Sequence, residues 1–256
     1  WALALDLRGS PPPTPVRPED PPGYDLHELI GRGGMGEVYR AIQHAPRREV
    51  AIKFVSHGAL AEAQALADAN LSIVPSVYQV GEHQGRGFLS MERVQGEPLL
   101  QWARGQGTDE RLVLLEALCR GVHRMHERGV VHRDLKPGNI LVSEGAVPRL
   151  LDFGLAFNLS EGVRGSAGTL AYMADETLEG EPATVRSDVF ALACIVVEVM
   201  TGSPAMPDAT LPSQQRRARL GWTPPSLGPS LDHVVRRGLA AHDARYPDAN
   251  ALANDL

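Results

Sequence analysis

His132-Arg133-Asp134-Leu135-Lys136-Pro137-Gly138-Asn139, continuing into Ile140-Leu141-Val142 and then Leu151-Asp152-Phe153-Gly154, is the stretch on which the reading of this chain turns. Two carboxylates, an amide and two cations crowd into a region that keeps no long hydrophobic period. Residues 131–180 are Gly-rich and weakly periodic, and they read as a long ordered loop region where function concentrates. Upstream lie short β-type runs at 30–42 (interrupted by glycines), 50–55, 74–80 and 88–94, which predict an antiparallel sheet. One helix-compatible run, 59–69, interrupts them with Leu60, Ala63, Leu66 and Ala67 on one face. Beyond Gly96 the pattern turns helical, at 109–128, 187–201 and 230–239. A β-rich front and an α-rich back predict an α+β fold of two lobes, the first at 24–94 and the second at 95–256.

The first 23 residues differ from this pattern. Pro11, Pro12, Pro13, Pro15, Pro18, Pro21 and Pro22 remove backbone donors and favour extended chain, so residues 1–23 are expected to be a Pro-rich linker. Trp1 stands where an initiator Met is usual and no signal peptide is visible, so a piece of a longer protein is expected.

With 256 residues and 43% hydrophobic content, the chain can bury a substantial core. A net charge of -6 argues against a nucleic-acid partner, which usually meets a basic face. The longest apolar run, 189–200, is broken by Glu198 and is too short to span a bilayer, so it reads as a core helix and no membrane contact is expected here. Two cysteines, Cys119 and Cys194, sit in apolar helical stretches, where reduced thiols of a cytoplasmic core are expected. A membrane anchor elsewhere in a longer parent remains compatible with this.

Two further motifs bear on chemistry. Gly31-Arg32-Gly33-Gly34-Met35-Gly36, followed by Glu37-Val38, fits G-x-G-x-x-G, but the chain runs on as a strand where a dinucleotide site requires a helix. A β-turn-β flap, laying backbone N–H groups over phosphates, is the better reading. Val50-Ala51-Ile52-Lys53 places a lysine among apolar strand neighbours, and Glu62 is the candidate carboxylate to fix it. Taken alone, a solvated lysine and an ordinary helix glutamate explain the pair equally well.

All of these segments, in this order across residues 24–256, resemble the eukaryotic-type (Hanks-type) protein kinase catalytic domain. Lys136 after Asp134-Leu135 is similar to the serine/threonine branch, and the wording of 31–41 and 134–139 resembles bacterial members. The resemblance implies a protein-kinase-like bilobal fold and transfer of the ATP γ-phosphate to serine or threonine of a protein substrate, with autophosphorylation expected too. It implies that Asp134 orients the acceptor hydroxyl, Lys136 neutralises the transferring group, and Asn139 and Asp152 hold Mg²⁺, with Mn²⁺ as a substitute. Lys53 would clamp the nucleotide phosphates, locked by Glu62. Ile30, Gly31, Arg32, Gly33, Gly34, Met35, Gly36 and Glu37 would cover the phosphates. Val38, Ala51 and Leu141 would sandwich adenine, whose edge would meet backbone groups of Glu92 and Val94.

The same resemblance gives Asp188 the task of tying the loop at 132–139, pairs Arg245 with Glu176, and stacks Leu66, His132 and Phe153 as an apolar column. Three positions depart from the family. The link from Lys53 to Glu62 is short, so the helix carrying Glu62 is expected to start early. Asp175 stands where proline is usual, which is expected to alter substrate docking. Arg93 replaces a common aromatic with a flexible cation. A pseudokinase scaffold is the alternative, but Lys53, Asp134, Asn139 and Asp152 are all present; a small-molecule phosphotransferase should lack the segment Gly168-Thr169 and Ala174-Asp175-Glu176. Phosphorylation of Ser166, or more weakly Ser160, is the expected switch, with Thr169 shaping the docking loop.

Overall fold

The computed structural model describes residues 18–33, 36–55, 60, 71–151, 170–206 and 223–256. Elements below are numbered among these residues. Five strands, β1 Tyr24–Gly33, β2 Gly36–Gln43, β3 Arg48–Val55, β4 Val77–His83 and β5 Arg86–Glu92, form an antiparallel sheet in the order β1-β2-β3-β5-β4.

Alternation along β3 assigns the two faces of this sheet. Val50, Ile52 and Phe54 join Tyr24, Leu26, Tyr39, Ala41 and Phe88 in one core, where Tyr24 meets Phe88 and Tyr39 meets Phe54 edge-on, each at 6.0 Å between ring centroids. Glu49, Ala51, Lys53 and Val55 occupy the opposite face; Val55 packs there with Leu89, Leu60, Val80 and Met91. Because β3 is central and covered on both sides from Val50 onward, the run Val50–Val55 is apolar at both parities apart from Lys53. Residues just before β1 lie against the sheet: Tyr24 N–H donates to Pro21 at 3.0 Å, and Gln84 in the β4–β5 turn donates to Glu19.

The second lobe is helical: α1 Leu99–Arg104, α2 Thr108–Glu127, α3 Asp175–Leu178, α4 Val185–Thr201, α5 Pro229–Gly238 and α6 Ala249–Asp255. A small sheet, β6 Glu97–Pro98, β7 Ile140–Ser143 and β8 Val147–Leu150, faces the cleft. Every residue of α4 from Ser187 to Val199 is buried, so this helix is apolar all round because it is surrounded by protein. Thr184 and Ser187 form a capping box at its start, Gly202 closes it in the left-handed region, and Arg111 donates to the terminal carbonyls of Val199 and Met200 at 3.3 Å. No helix among the described residues is long and apolar enough to cross a membrane.

Three sequence expectations are corrected here. The strand expected from residue 74 begins at Val77, because Ile73 and Val74 leave the sheet and enter the lower-lobe core beside α2. The stretch 131–180, read as loop, contains β7, β8, α3 and short 3-10 turns at Pro137–Asn139 and Leu170–Tyr172. These elements are too short to impose a period on the sequence. Helix α4 also starts two residues before the expected 187, since capping residues carry no apolar signal. The run 59–69 lies outside the described residues except for Leu60.

Ile73 enters a notch in α2 at Gly121, where an added Cβ would stand 2.1 Å from Ile73 Cδ1. Gly121→Ala should therefore lower stability by about 1–3 kcal/mol, the usual cost of overpacking, because the buried Ile73 side chain meets the added methyl from Cδ1 to Cβ and must shift. Urea denaturation monitored by tryptophan fluorescence checks this; an unchanged midpoint would show that Ile73 is free to move away.

Candidate active site

The loop between α2 and β7 is held from below by a carboxylate. Asp188, in the first turn of α4, is 1% exposed and accepts from the backbone N–H of His132 at 2.8 Å and of Arg133 at 3.0 Å. His126 of α2 lies 2.9 Å from the same Asp188 through Nε2. Serving two consecutive N–H groups from one carboxylate bends the chain, and Arg133 adopts φ 71° as a result. The expectation for Asp188 thus has a direct geometric counterpart.

Within this bend the reactive groups converge. Asp134 is 6% exposed, and Lys136 Nζ lies 2.9 Å from its Oδ2 and 3.1 Å from its Oδ1. Asn139, fixed by the 3-10 turn, donates from Nδ2 to the Asp134 carbonyl at 2.8 Å and to Asp134 Oδ2 at 3.0 Å. With the amide nitrogen committed to Asp134, the Asn139 carboxamide oxygen is the end suited to a hard cation. His132 is fully buried, and its Nδ1 accepts from Asp134 N–H at 3.3 Å.

Above the cleft, Lys53 is 3% exposed and lies opposite Val38 on β2 and Leu89 on β5. By alternation it shares the cleft face of β3 with Ala51, so the sequence-predicted roof residues Val38 and Ala51 and the cation stand together. Leu141 on β7 belongs to the small sheet below. At the start of β2, Gly36 has φ 122° and an added Cβ would lie 2.0 Å from the Phe54 carbonyl, so only glycine fits where β2 meets β3 this closely. Arg32 and Glu37 pair across the strands at 2.8 Å, and Arg86 approaches Glu37 at 3.8 Å. Ile30 is 45% exposed at the mouth. Gly31 and Gly33 belong to β1, whereas Gly34, Met35, Glu62, Asp152, Phe153, Leu66, Ser160, Ser166, Gly168 and Thr169 lie outside the described residues.

Met91-Glu92-Arg93-Val94, the hinge between the lobes, carries two ion pairs. Glu92 N–H donates to the Ser76 carbonyl at 2.8 Å, which leaves its carbonyl rather than its N–H as the group Glu92 can offer. Its side chain accepts from Arg149 at 2.6 Å and from Ser76 N–H at 3.2 Å. Burial pushes this carboxyl up, but the Arg149 and backbone bonds outweigh it and hold Glu92 below the usual range. Arg93, expected to be a flexible cation, is instead held 2.7 Å from Glu49.

Beside Asp134, a cavity is lined by Arg133, Tyr172, Met173, Thr177, Ser187 and Asp188. Tyr172 donates its hydroxyl to Glu198, a buried carboxylate in the last turn of α4. This pair was missed in the sequence, although Glu198 interrupting the apolar run 189–200 was the visible sign of a buried charge needing a partner. Asp175 is the exposed first residue of α3, a position that accepts proline and aspartate alike, so the departure leaves the turn intact. Arg245, 2% exposed in its side chain, pairs with Glu176 at 2.8 Å and also donates to the carbonyls of Ala240 and Arg186.

The structure thus gives a buried strand lysine in the upper lobe and a convergent Asp134-Lys136-Asn139 loop in the lower one. The protein kinase domain profile matches residues 24–223. The serine/threonine-protein kinase PknD of Mycobacterium tuberculosis is 35% identical over 263 residues, 90% of this chain and 38% of that protein. PknB of Mycolicibacterium smegmatis is 32% identical, covering 91% of this chain and 42% of that protein, and a probable PknB of Corynebacterium glutamicum is 30% identical. The chain belongs to the protein kinase domain family and spans about two fifths of the length of these relatives.

The Arg245–Glu176 pair makes a pH prediction. Burial raises the Glu176 pKa, yet the Arg245 bonds lead the groups that bring it below the ordinary 4.5. A lowered folded pKa gives stability that is full above 4.5 and is lost as pH falls through the folded value. Glu176→Gln should flatten this acid limb in denaturant titrations at graded pH. Arg245→Ala, which strands the carboxylate, should cost about 3 kcal/mol at neutral pH.

Proposed function

We propose that this chain is the catalytic domain of a serine/threonine protein kinase, transferring the γ-phosphate of ATP to hydroxyls of a protein substrate and to its own. The observation that carries the reading is the convergence of Asp134, Lys136 and Asn139 within bonding distance, on a loop fixed by Asp188. Asp134 receives or orients the acceptor hydroxyl, and Lys136 beside it offsets the negative charge that the transferring group brings. Mg²⁺, or Mn²⁺ in its place, would supply charge neutralisation when bound, and the Asn139 carboxamide oxygen and Asp152 would hold it.

Lys53 orients the phosphates from the roof with Glu62 as its lock, and Val38, Ala51 and Leu141 enclose adenine. The Glu92 carbonyl and a backbone group of Val94 take the adenine edge. The flap from Ile30 to Glu37 covers the phosphates. The cavity lined by Tyr172 and Met173 receives the acceptor segment next to Asp134. Residues 24–256 act as the kinase domain, 1–23 as its linker, and Ser166 as the switch. A cytoplasmic setting suits the cysteines: both are buried and neither is in a disulfide, and burial pushes the Cys119 thiol up to about 12, which makes it a poor nucleophile.

Radiolabelled ATP with Mg²⁺, with and without a generic protein substrate, tests the reading directly. Wild-type chain should label itself or the substrate on serine or threonine. Asp134→Asn should lose on the order of 10²-fold or more in turnover while keeping its circular dichroism spectrum. Nucleotide binding without any labelling would turn the reading toward a scaffold.

A further inference from the structure

Consecutive hinge residues of opposite charge are tied to opposite lobes. Glu92 is held by Arg149 of β8 in the lower lobe at 2.6 Å, and Arg93 by Glu49 of β3 in the upper lobe at 2.7 Å. Each tie lands next to a wall of the cleft. Arg149 stands directly across the strand pair from Leu141, and Glu49 shares a strand face with Ala51, two residues away. Both ties are braced further. Glu49 accepts Arg93 on Oε2 and Arg40 on Oε1 at 3.0 Å, and Arg40 continues to Glu28 of β1 at 2.5 Å. Arg149 reaches the Val74 carbonyl at 3.3 Å while Glu92 takes the Ser76 N–H at 3.2 Å, so the connection before β4 is gripped as well.

We propose that Arg93 and Arg149 are positioning residues that set the height of the adenine slot, one fixing the hinge to the roof strand and the other fixing it to the floor strand. The proposal rests on the kinase reading for the occupant of the slot. Neither arginine has a part in binding or transfer; each acts through the backbone of the hinge. An isolated exposed ion pair would be too weak for this task, but both of these are part-buried, Glu49 is shared by Arg93 and Arg40, and Glu92 also accepts from the Ser76 N–H. A slot held open or shut by the wrong amount loses stacking on both faces of a planar ring at once. The signature is therefore a change in affinity for the base, with little change in the transfer step.

Adenosine is the discriminating probe, because it carries no phosphate and its salt dependence reports the hinge rather than Lys53 or a metal. Calorimetric titration of adenosine and of MgADP into wild type, Arg93→Ala, Arg149→Ala and the two Lys variants should show adenosine affinity falling about three- to tenfold in each Ala variant. Each Lys variant should regain part of it. Raising the salt to about 0.5 M should weaken adenosine binding to wild type more than to either Ala variant, since each variant has already lost one of the two ties that screening weakens. In the labelling assay the loss should fall on KM for ATP, with kcat within about twofold. Unchanged adenosine affinity in both Ala variants, or Lys variants no better than Ala, would overturn the proposal while leaving the kinase reading intact. Wild type that binds neither adenosine nor MgADP would overturn both readings together. Should Arg149→Ala fail to fold, Arg149→Lys and the salt series on wild type give the same decision.

Discussion

The contact between Asp188 and the backbone of His132 and Arg133 is the constraint on which the lower cleft depends. Burying a carboxylate at 1% exposure costs several kcal/mol, and a left-handed Arg133 adds about 1–2 kcal/mol. Against this stand two charge-assisted backbone bonds and the His126 contact, each worth about 1.5–3 kcal/mol. The terms nearly balance, so the loop is held in a shape it would not take alone. The return lies elsewhere: once Arg133 has turned, Asp134 N–H meets His132, and Asp134, Lys136 and Asn139 face one another. Because Asp188 begins a helix buried on every side, the loop inherits the rigidity of the largest apolar core in the molecule.

Much of this was legible in the sequence, and for identifiable reasons. The β-rich and helical halves follow from the period of apolar residues, and α2, α4 and α5 are long enough for that period to show. Lys53 was visible as a cation among apolar strand residues, and the Asp134–Asn139 loop as a crowd of charged and amide residues whose motif resembles the kinase family. Asp188 and Arg245 were assigned by resemblance and proved to have the bonding partners the resemblance implied. What stayed hidden were interactions between distant residues with no local signal. Arg149 and Glu92 are 57 positions apart, and nothing in either neighbourhood marks them as partners. Arg93 was legible only as an unusual residue; its partner Glu49 reads locally as an ordinary strand-end charge. Strands β7 and β8, four residues each, are below the length at which alternation can be recognised.

Charge is distributed in this fold according to what surrounds it. Carboxylates removed from solvent, Asp188 and Glu198 fully and Glu176 partly, are each hydrogen-bonded: Asp188 to the loop, Glu198 to Tyr172, and Glu176 to Arg245 and Ser187. All three meet α4 or its start, so the segment 170–178 and the loop at 132–139 are referenced to one helix. The half-buried pairs at the hinge work differently. They connect surfaces that meet only in the folded protein, and their value lies in geometry more than in stability.

The excursion of Ile73 and Val74 out of the sheet changes what the word lobe means here. Ile73 occupies the notch of α2, its carbonyl receives Leu150 N–H at 2.7 Å, and both residues count among the lower core. The chain therefore crosses between the halves three times, descending at 71–76, returning for β4 and β5, and descending again at the hinge. A cut in the hinge alone would leave the two halves sharing a buried core. The upper sheet is consequently not a module that could be exchanged or inherited by itself: grafting it onto another helical partner requires a matching small residue where Gly121 now stands.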